Sequence, residues 1–401
     1  MDDQTETNNK RALNLNWANY LSIAYLITVR LPFVLLKTVL SPLLHPANTY
    51  NDKPLKRRIG DALMREAPEH LPESVMLRMV GTGLEQYRQF VSKYQPELGM
   101  TVEDLPLAYN DGRGEKAQLF WIGPRRTEKV ILYFPGGAYV YPVIDMMLKF
   151  WRYAQMQWKR QGLEVGIVVL SYSVGYSADA AFPIQLFQAT QAVNLLLSQG
   201  CKPSDIQIVG DSAGGNLVAQ LLSHMVHPLP LPSLVPPLNL PPGTRFRGVY
   251  MLSPWLSFSN PNQWGSSVQT KNSDVAPSYQ KLRSSGGHYL NSVSNIGIPY
   301  ELSELIPYIE PVLAPDSWFS GLQNTVVERV LMTAGMEERL LNQIEVFFNR
   351  KLKPHHSDAV LLVQNGGLHD DIIMDFFVAE APLDNDLTPV VLDWLAEGFR
   401  M

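Results

Sequence analysis

A chain of 401 residues with 46% hydrophobic and 18% charged content can bury a sizeable core, which excludes global disorder. A formal charge of −5, with no basic stripe carrying interleaved aromatics, argues against a nucleic-acid binder. Cys201 is the single cysteine, so an internal disulfide framework and a cysteine-rich metal site are excluded; with no Asn-x-Ser/Thr sequon either, the chain leans towards a reducing compartment.

Residues 1–12 are polar and read as a disordered tail. Residues 13–45 are strongly apolar. Trp17 to Val29 forms a mostly apolar run, Arg30 and Pro32 interrupt it, and Phe33 to Leu36 resume it. No stretch reaches the roughly 18 uninterrupted apolar residues of a simple membrane span, although Arg30 and Lys37 could snorkel. Asp2, Asp3 and Glu6 spoil the basic region a signal peptide needs. The segment is therefore a membrane-associating helix or hairpin, an interfacial helix, or a helix packed on the fold. A membrane location, at the endoplasmic reticulum, stands beside a cytoplasmic one. Residues 46–105 read as cap helices, with Leu63, Met64, Met76, Met79, Val80, Leu84 and Phe90 at helical spacing.

After Pro106 short apolar runs alternate with helical segments. Strands are expected at Gln118–Ile122, Val130–Phe134, Val165–Leu170, Ile206–Val209, Gly248–Leu252, Val327–Thr333 and Ala359–Val363. Helices are expected at Ile184–Leu197, Asn216–Met225, Asn342–Lys351 and Asp371–Phe377. This alternation predicts an α/β catalytic domain over 106–401, built on a mostly parallel sheet covered on both faces. Pro228 to Pro242 is too proline-rich for a helix and should wrap the surface. Residues 260–311 hold too few periodic apolar positions for a strand–helix unit and read as a cap or lid insertion.

The chemistry concentrates at Gly210-Asp211-Ser212-Ala213-Gly214-Gly215, between a strand and a helix. Gly-x-Ser-x-Gly in a strand–turn–helix context is a nucleophile elbow: the turn is so tight that small residues flank the serine, and its hydroxyl is pushed out at the sheet edge. A serine needs a base and a group to orient that base. Of eight histidines, His369 follows a strand candidate through Gln364-Asn365-Gly366-Gly367-Leu368 and precedes a helix, so it is the candidate base. The preceding strand ends in Ala334-Gly335-Met336-Glu337-Glu338. Glu338 is the preferred acid and Glu337 the alternate. The loop Pro135-Gly136-Gly137-Ala138-Tyr139 is the candidate oxyanion loop, because its small residues let amides approach a developing negative charge.

Together these blocks resemble the hormone-sensitive-lipase-like branch of the α/β-hydrolase superfamily, with its arylacetamide deacetylases and fungal steryl acetyl hydrolases. The elbow matches in full, Tyr172-Ser173-Val174-Gly175-Tyr176 with Phe182-Pro183 matches loosely, and Ser253-Pro254-Trp255 resembles the block after the sixth strand. Pro135 replaces the first residue of the family's His-Gly-Gly-Gly, and Ala138 its last. The resemblance implies an α/β-hydrolase fold, with a cap made by N-terminal helices and an insertion after the sixth strand. It implies Ser212 as nucleophile, His369 as base, and Gly137, Ala138 and Ala213 as oxyanion amides. A serine esterase acting on an apolar, short-acyl ester, with no metal or organic cofactor, is the function expected. A biosynthetic hydrolase-fold enzyme performing hydrolysis, acyl transfer or cyclisation is the alternative, and a non-catalytic binding protein the third reading.

Overall fold

The computed structural model describes residues 16–45, 49–106, 117–175, 180–231, 234–238, 240–294, 301–383 and 385–401. The expected tail over 1–12, and Tyr176 of the loosely matched block, lie outside the described residues.

Among the described residues eight strands build one sheet: β1 Val102–Asp104, β2 Gln118–Ile122, β3 Val130–Phe134, β4 Gly166–Ser171, β5 Ile206–Asp211, β6 Gly248–Leu252, β7 Val330–Gly335 and β8 Ala359–Gln364. Their spatial order is β1-β2-β4-β3-β5-β6-β7-β8. The β1–β2 and β2–β4 pairs are antiparallel and the others parallel. β3, Val-Ile-Leu-Tyr-Phe, is buried at every position, as expected of a parallel strand covered on both faces. The helices Ile184–Ser198 and Ser212–Val226 lie over one face. Asp145–Arg160 and Leu387–Gly398 lie over the other; in the former, Met147, Trp151, Ala154 and Trp158 recur at helical spacing and point inward. This is the mostly parallel, doubly covered sheet expected from the alternation, in the α/β-hydrolase arrangement that the resemblance implies.

Several boundaries differ from the sequence reading. β1 falls inside the segment read as cap helices, so the sheet begins at Val102; the helices before it end at Tyr94. β7 starts three residues late and runs on to Gly335, because Ala334 and Gly335 pair with Val363 and Gln364 of β8. The helix after β5 starts at Ser212 itself rather than at Asn216. The described residues of 228–242 are irregular, yet Leu229, Val235 and Leu238 are buried rather than lying on the surface. Proline lacks an N–H, so a proline-rich segment can enter a core with few donors to satisfy. His224 clamps it there, accepting from the Leu229 amide at 2.9 Å and facing the Pro236 carbonyl at 3.1 Å.

The cap has two parts. Helices Leu55–His70, Glu73–Val80 and Gly83–Tyr94 come from the N-terminal region, and the insertion between β6 and β7 supplies Tyr279–Ser294 and Leu302–Ile309. Arg65 donates to the Ser273 carbonyl at 3.0 Å, joining the two parts. The helix Tyr279–Ser294 carries Gly286, where a Cβ would lie 2.8 Å from that of Phe258; only glycine permits this approach.

Trp17–Leu44 is one 28-residue helix with a π turn over Leu26–Arg30. At 1.5 Å per residue it spans about 42 Å, longer than a bilayer's hydrocarbon core. Arg30 does not break it, because Glu66 of the next helix accepts its Nε–H at 2.7 Å. Leu26 and Val34 are buried, whereas Trp17, Leu21, Phe33, Leu36 and Leu43 are more than half exposed.

Candidate active site

β5 ends at Asp211 and Ser212 opens the following helix at φ +50, a left-handed conformation costing a non-glycine residue about 1–3 kcal/mol. Tight packing holds it. A Cβ on Gly214 would stand 1.9 Å from the Phe134 carbonyl oxygen, so β3 and the elbow helix can meet only at glycine. The serine is half-buried, and the positive end of a 15-residue helix lies beneath it.

Ser212 Oγ and His369 Nε2 lie 2.9 Å apart, at hydrogen-bond distance. His369 Nδ1–H donates to Glu338 Oε1 at 2.8 Å. Glu338 is fully buried, and its other oxygen accepts from Ser253 Oγ at 2.8 Å and the Gly335 amide at 2.9 Å. The structure thus brings Ser212, His369 and Glu338 together from three separate loops. Glu337 turns outward instead and pairs with Lys271 Nζ at 3.3 Å.

The surrounding residues explain how the loops are held. Asp274, from the cap insertion, accepts the amides of His369 and Arg339, each at 2.8 Å, tying the His369 and Glu338 loops together. Asp211 accepts the Gly136 amide at 2.8 Å and the Tyr133 hydroxyl at 2.5 Å. Tyr172 donates its hydroxyl to the Pro135 carbonyl. The loop that has proline where the resembled family has histidine is therefore braced at its carbonyl by a phenol and at the next amide by a carboxylate. Gly137, Ala138 and Tyr139 all have positive φ, at +123°, +54° and +61°. Ala138 accepts this strain despite its Cβ. Among the described residues, the amides of Gly137, Ala138 and Ala213 donate no backbone hydrogen bond. Below the loop, Tyr139 donates to Asn216 Oδ1 at 2.7 Å and stacks on Tyr289 of the insertion with centroids 4.4 Å apart.

Burial works to lower the His369 pKa, but the Asp370 carboxylate and the hydrogen bond and charge of Glu338 outweigh it and push it up to about 10. Burial raises the Glu338 carboxyl, with His369 opposing that shift. Burial also lifts Asp211 to about 6, against the hydrogen bonds from Tyr133 and Gly136. Sequence reasoning overlooked Asp274, Ser253's hydroxyl, Tyr172 and Asp211 as supports. Asp211 and Ser253 lay inside quoted motifs, whereas Asp274 sits in a segment with no local signal.

The geometry separates the two acids experimentally. Glu338→Gln is expected to lower kcat by about 10³–10⁴-fold, because an amide leaves the wrong hydrogen-bond pattern for the imidazole. Glu337→Gln removes only a partly exposed ion pair and is expected to change kcat by less than about threefold. Steady-state kinetics on a soluble nitrophenyl ester reads both, and a reversed order would reassign the acid.

The fold is shared with solved esterases. A crystal structure of an esterase from the bacterial hormone-sensitive lipase family is similar over 86% of this chain and 99% of its own, with a TM-score of 0.59 and 21% identity. Carboxyl esterase 2 from the mycorrhizal fungus Tuber melanosporum covers 75% of this chain and 88% of its own, with a TM-score of 0.55 and 17% identity. What they share with this chain is the α/β-hydrolase fold. A family model described as steryl acetyl hydrolase matches residues 122–377, and the chain belongs to that family. It is 25% identical over 178 residues to "Putative steryl acetyl hydrolase mug81" of Schizosaccharomyces pombe, covering 43% of this chain and 42% of that protein. An "Acetyl-hydrolase" of Streptomyces hygroscopicus is 31% identical over 105 residues, 25% of this chain and 32% of that protein. The chain thus spans less than half the length of these two relatives.

Proposed function

We propose that the protein cleaves short-acyl esters of apolar alcohols through an acyl-enzyme on Ser212. Ser212 Oγ attacks the acyl carbonyl while its proton passes to His369 Nε2, and Glu338 orients the ring and stabilises the imidazolium. The amides of Gly137, Ala138 and Ala213 stabilise the tetrahedral oxyanion. His369 returns the proton to the departing alkoxide. A water, giving its proton to the same nitrogen, then attacks the acyl-enzyme, and His369 returns that proton to Ser212 Oγ as the acid is released. The observation carrying this reading is the Ser212–His369–Glu338 relay at 2.9 and 2.8 Å.

The acetyl preference and the sterol-like alcohol draw support from the family description and from the names of the two relatives. An acyl-chain series on one alcohol tests them: the acetate is expected to exceed the octanoate in kcat/KM by about tenfold or more, a difference of about 1.4 kcal/mol in transition-state binding. A preference for the octanoate would overturn the acetyl assignment.

The apolar alcohol fits a protein held at a lipid surface. We assign residues 13–45 to membrane association, 46–101 to the N-terminal cap and the remainder to the catalytic unit with its insertion. The exposed apolar side chains of Trp17–Leu44 support this, as does the single buried strip by which that helix meets its neighbour. Phe33→Asp with Leu40→Asp leaves Leu26 and Val34 in place and adds an insertion cost of roughly 2.5–3.5 kcal/mol for the Phe33 charge near the helix centre, with a smaller one for Leu40 nearer its end. The double variant is expected in the supernatant and the parent in the membrane pellet. Identical fractionation of the two would remove the membrane assignment.

A further inference from the structure

Asp370 directly follows the candidate base and adopts φ +53 before the helix Asp371–Val378. Its Oδ2 lies 3.3 Å from His369 Nε2, the same nitrogen that meets Ser212 Oγ. Its Oδ1 is buried with no hydrogen-bond partner among the described residues.

Three other carboxylates face the imidazole, and each has protein donors. Glu338 takes the Ser253 hydroxyl and Gly335 amide, Asp274 two amides, and Asp211 the Tyr133 hydroxyl and Gly136 amide. The Tyr250 hydroxyl, on β6, bonds Thr333. Nearby cations are engaged elsewhere: Lys53 and Arg57 with Asp371, and Lys271 with Glu337. Among described partners, the Asp370 carboxylate is balanced by the imidazolium alone.

We propose that Asp370 is a positioning residue for proton transfer, pairing with the Nε2–H of protonated His369 in the resting enzyme and delaying release of the free base to alkaline pH. The proposal rests on His369 being the base. The proton involved still travels from Ser212 to Nε2 and on to the leaving oxygen; Asp370 accepts none of it. Burial raises the Asp370 carboxyl well above the usual carboxylate range and opposes charge on His369, and the attraction between the two groups works against both effects. Removing the carboxylate therefore lowers the His369 pKa.

The test is the pH profile of kcat/KM for full-length Asp370→Asn on nitrophenyl acetate. The acidic limb is expected to move down by about one unit, so that activity at low pH relative to the plateau rises about tenfold. Asp370→Glu keeps the charge and is expected to hold the acidic limb at the parent's position. Asp370→Ser serves as a second neutral variant if the amide does not fold. A limb unmoved in a folded neutral variant, or a loss equal at every pH, overturns the proposal. Full activity in His369→Ala would instead overturn the base assignment beneath it.

Discussion

Ser212→Ala is expected to lower kcat on a short-chain ester by about 10⁴–10⁶-fold while leaving thermal stability close to that of the parent protein. The magnitude follows from the arrangement. Ser212 Oγ is already at hydrogen-bond distance from His369 Nε2, so removing it deletes the covalent route rather than weakening one contact. His369→Ala is expected to fall into the same range, and the double variant to be no worse than the poorer single one. Residues that act as a unit are non-additive, and residual catalysis comes from binding and the oxyanion amides. Additive losses in the double variant would mean that the two side chains do not share one proton transfer. Retained activity in Ser212→Ala would exclude the acyl-enzyme altogether.

Arg57→Leu is expected to destabilise the fold by about 3–5 kcal/mol. Arg57 is 1% exposed and reaches Asp61 at 2.7 Å, Asp371 at 2.8 Å and Asp375. Burial disfavours its charge, but Asp371, Asp61 and Asp375 outweigh this and raise its pKa. Leucine leaves three buried carboxylates with Lys53, on Asp371, as the remaining cation. Burial already raises Asp61 and Asp375, whereas the Asp371 shift is downward despite burial because of Arg57 and Lys53. A depressed carboxylate contributes stability above its unfolded pKa near 4 and loses it as pH falls through the folded value. Without Arg57, all three carboxylates shift up and are destabilising at neutral pH. Protonation then relieves the variant, and its deficit against the parent is expected to shrink between pH 7 and pH 5. Denaturant titrations at the two pH values check the sign; a deficit that grows on acidification contradicts it. Asp371 also accepts the Leu368 amide at 3.1 Å, so the same substitution loosens the loop carrying His369.

The fold was legible where local pattern and tertiary environment agreed. Buried runs such as Val130–Phe134 look the same as sequence and as central strand, and Gly-Asp-Ser-Ala-Gly-Gly announces a turn only small residues can make. Ser212, His369 and Glu338 were read from the ends of strands, and those ends meet at one sheet edge. What stayed hidden depended on distant partners. The helix Trp17–Leu44 looked interrupted because Arg30 is satisfied by Glu66, 36 residues away. Tyr279–Ser294 looked irregular because Gly286 serves a close approach to Phe258 rather than a turn. Choosing Glu338 over Glu337 was a preference in the sequence; in space, Ser253 and Gly335 turn one inward and Lys271 holds the other outside. Positive φ at Ala138, Ser253 and Asp370 has no sequence signature, since none is glycine.

The central claim, that Ser212 is the nucleophile, is tested most directly by reacting the intact protein with a fluorophosphonate and mapping the adduct by peptide mass spectrometry. The expected result is one phosphonyl group on the peptide containing Ser212, absent in Ser212→Ala and strongly slowed in His369→Ala. An unlabelled protein, or an adduct on another residue that persists in Ser212→Ala, would contradict it.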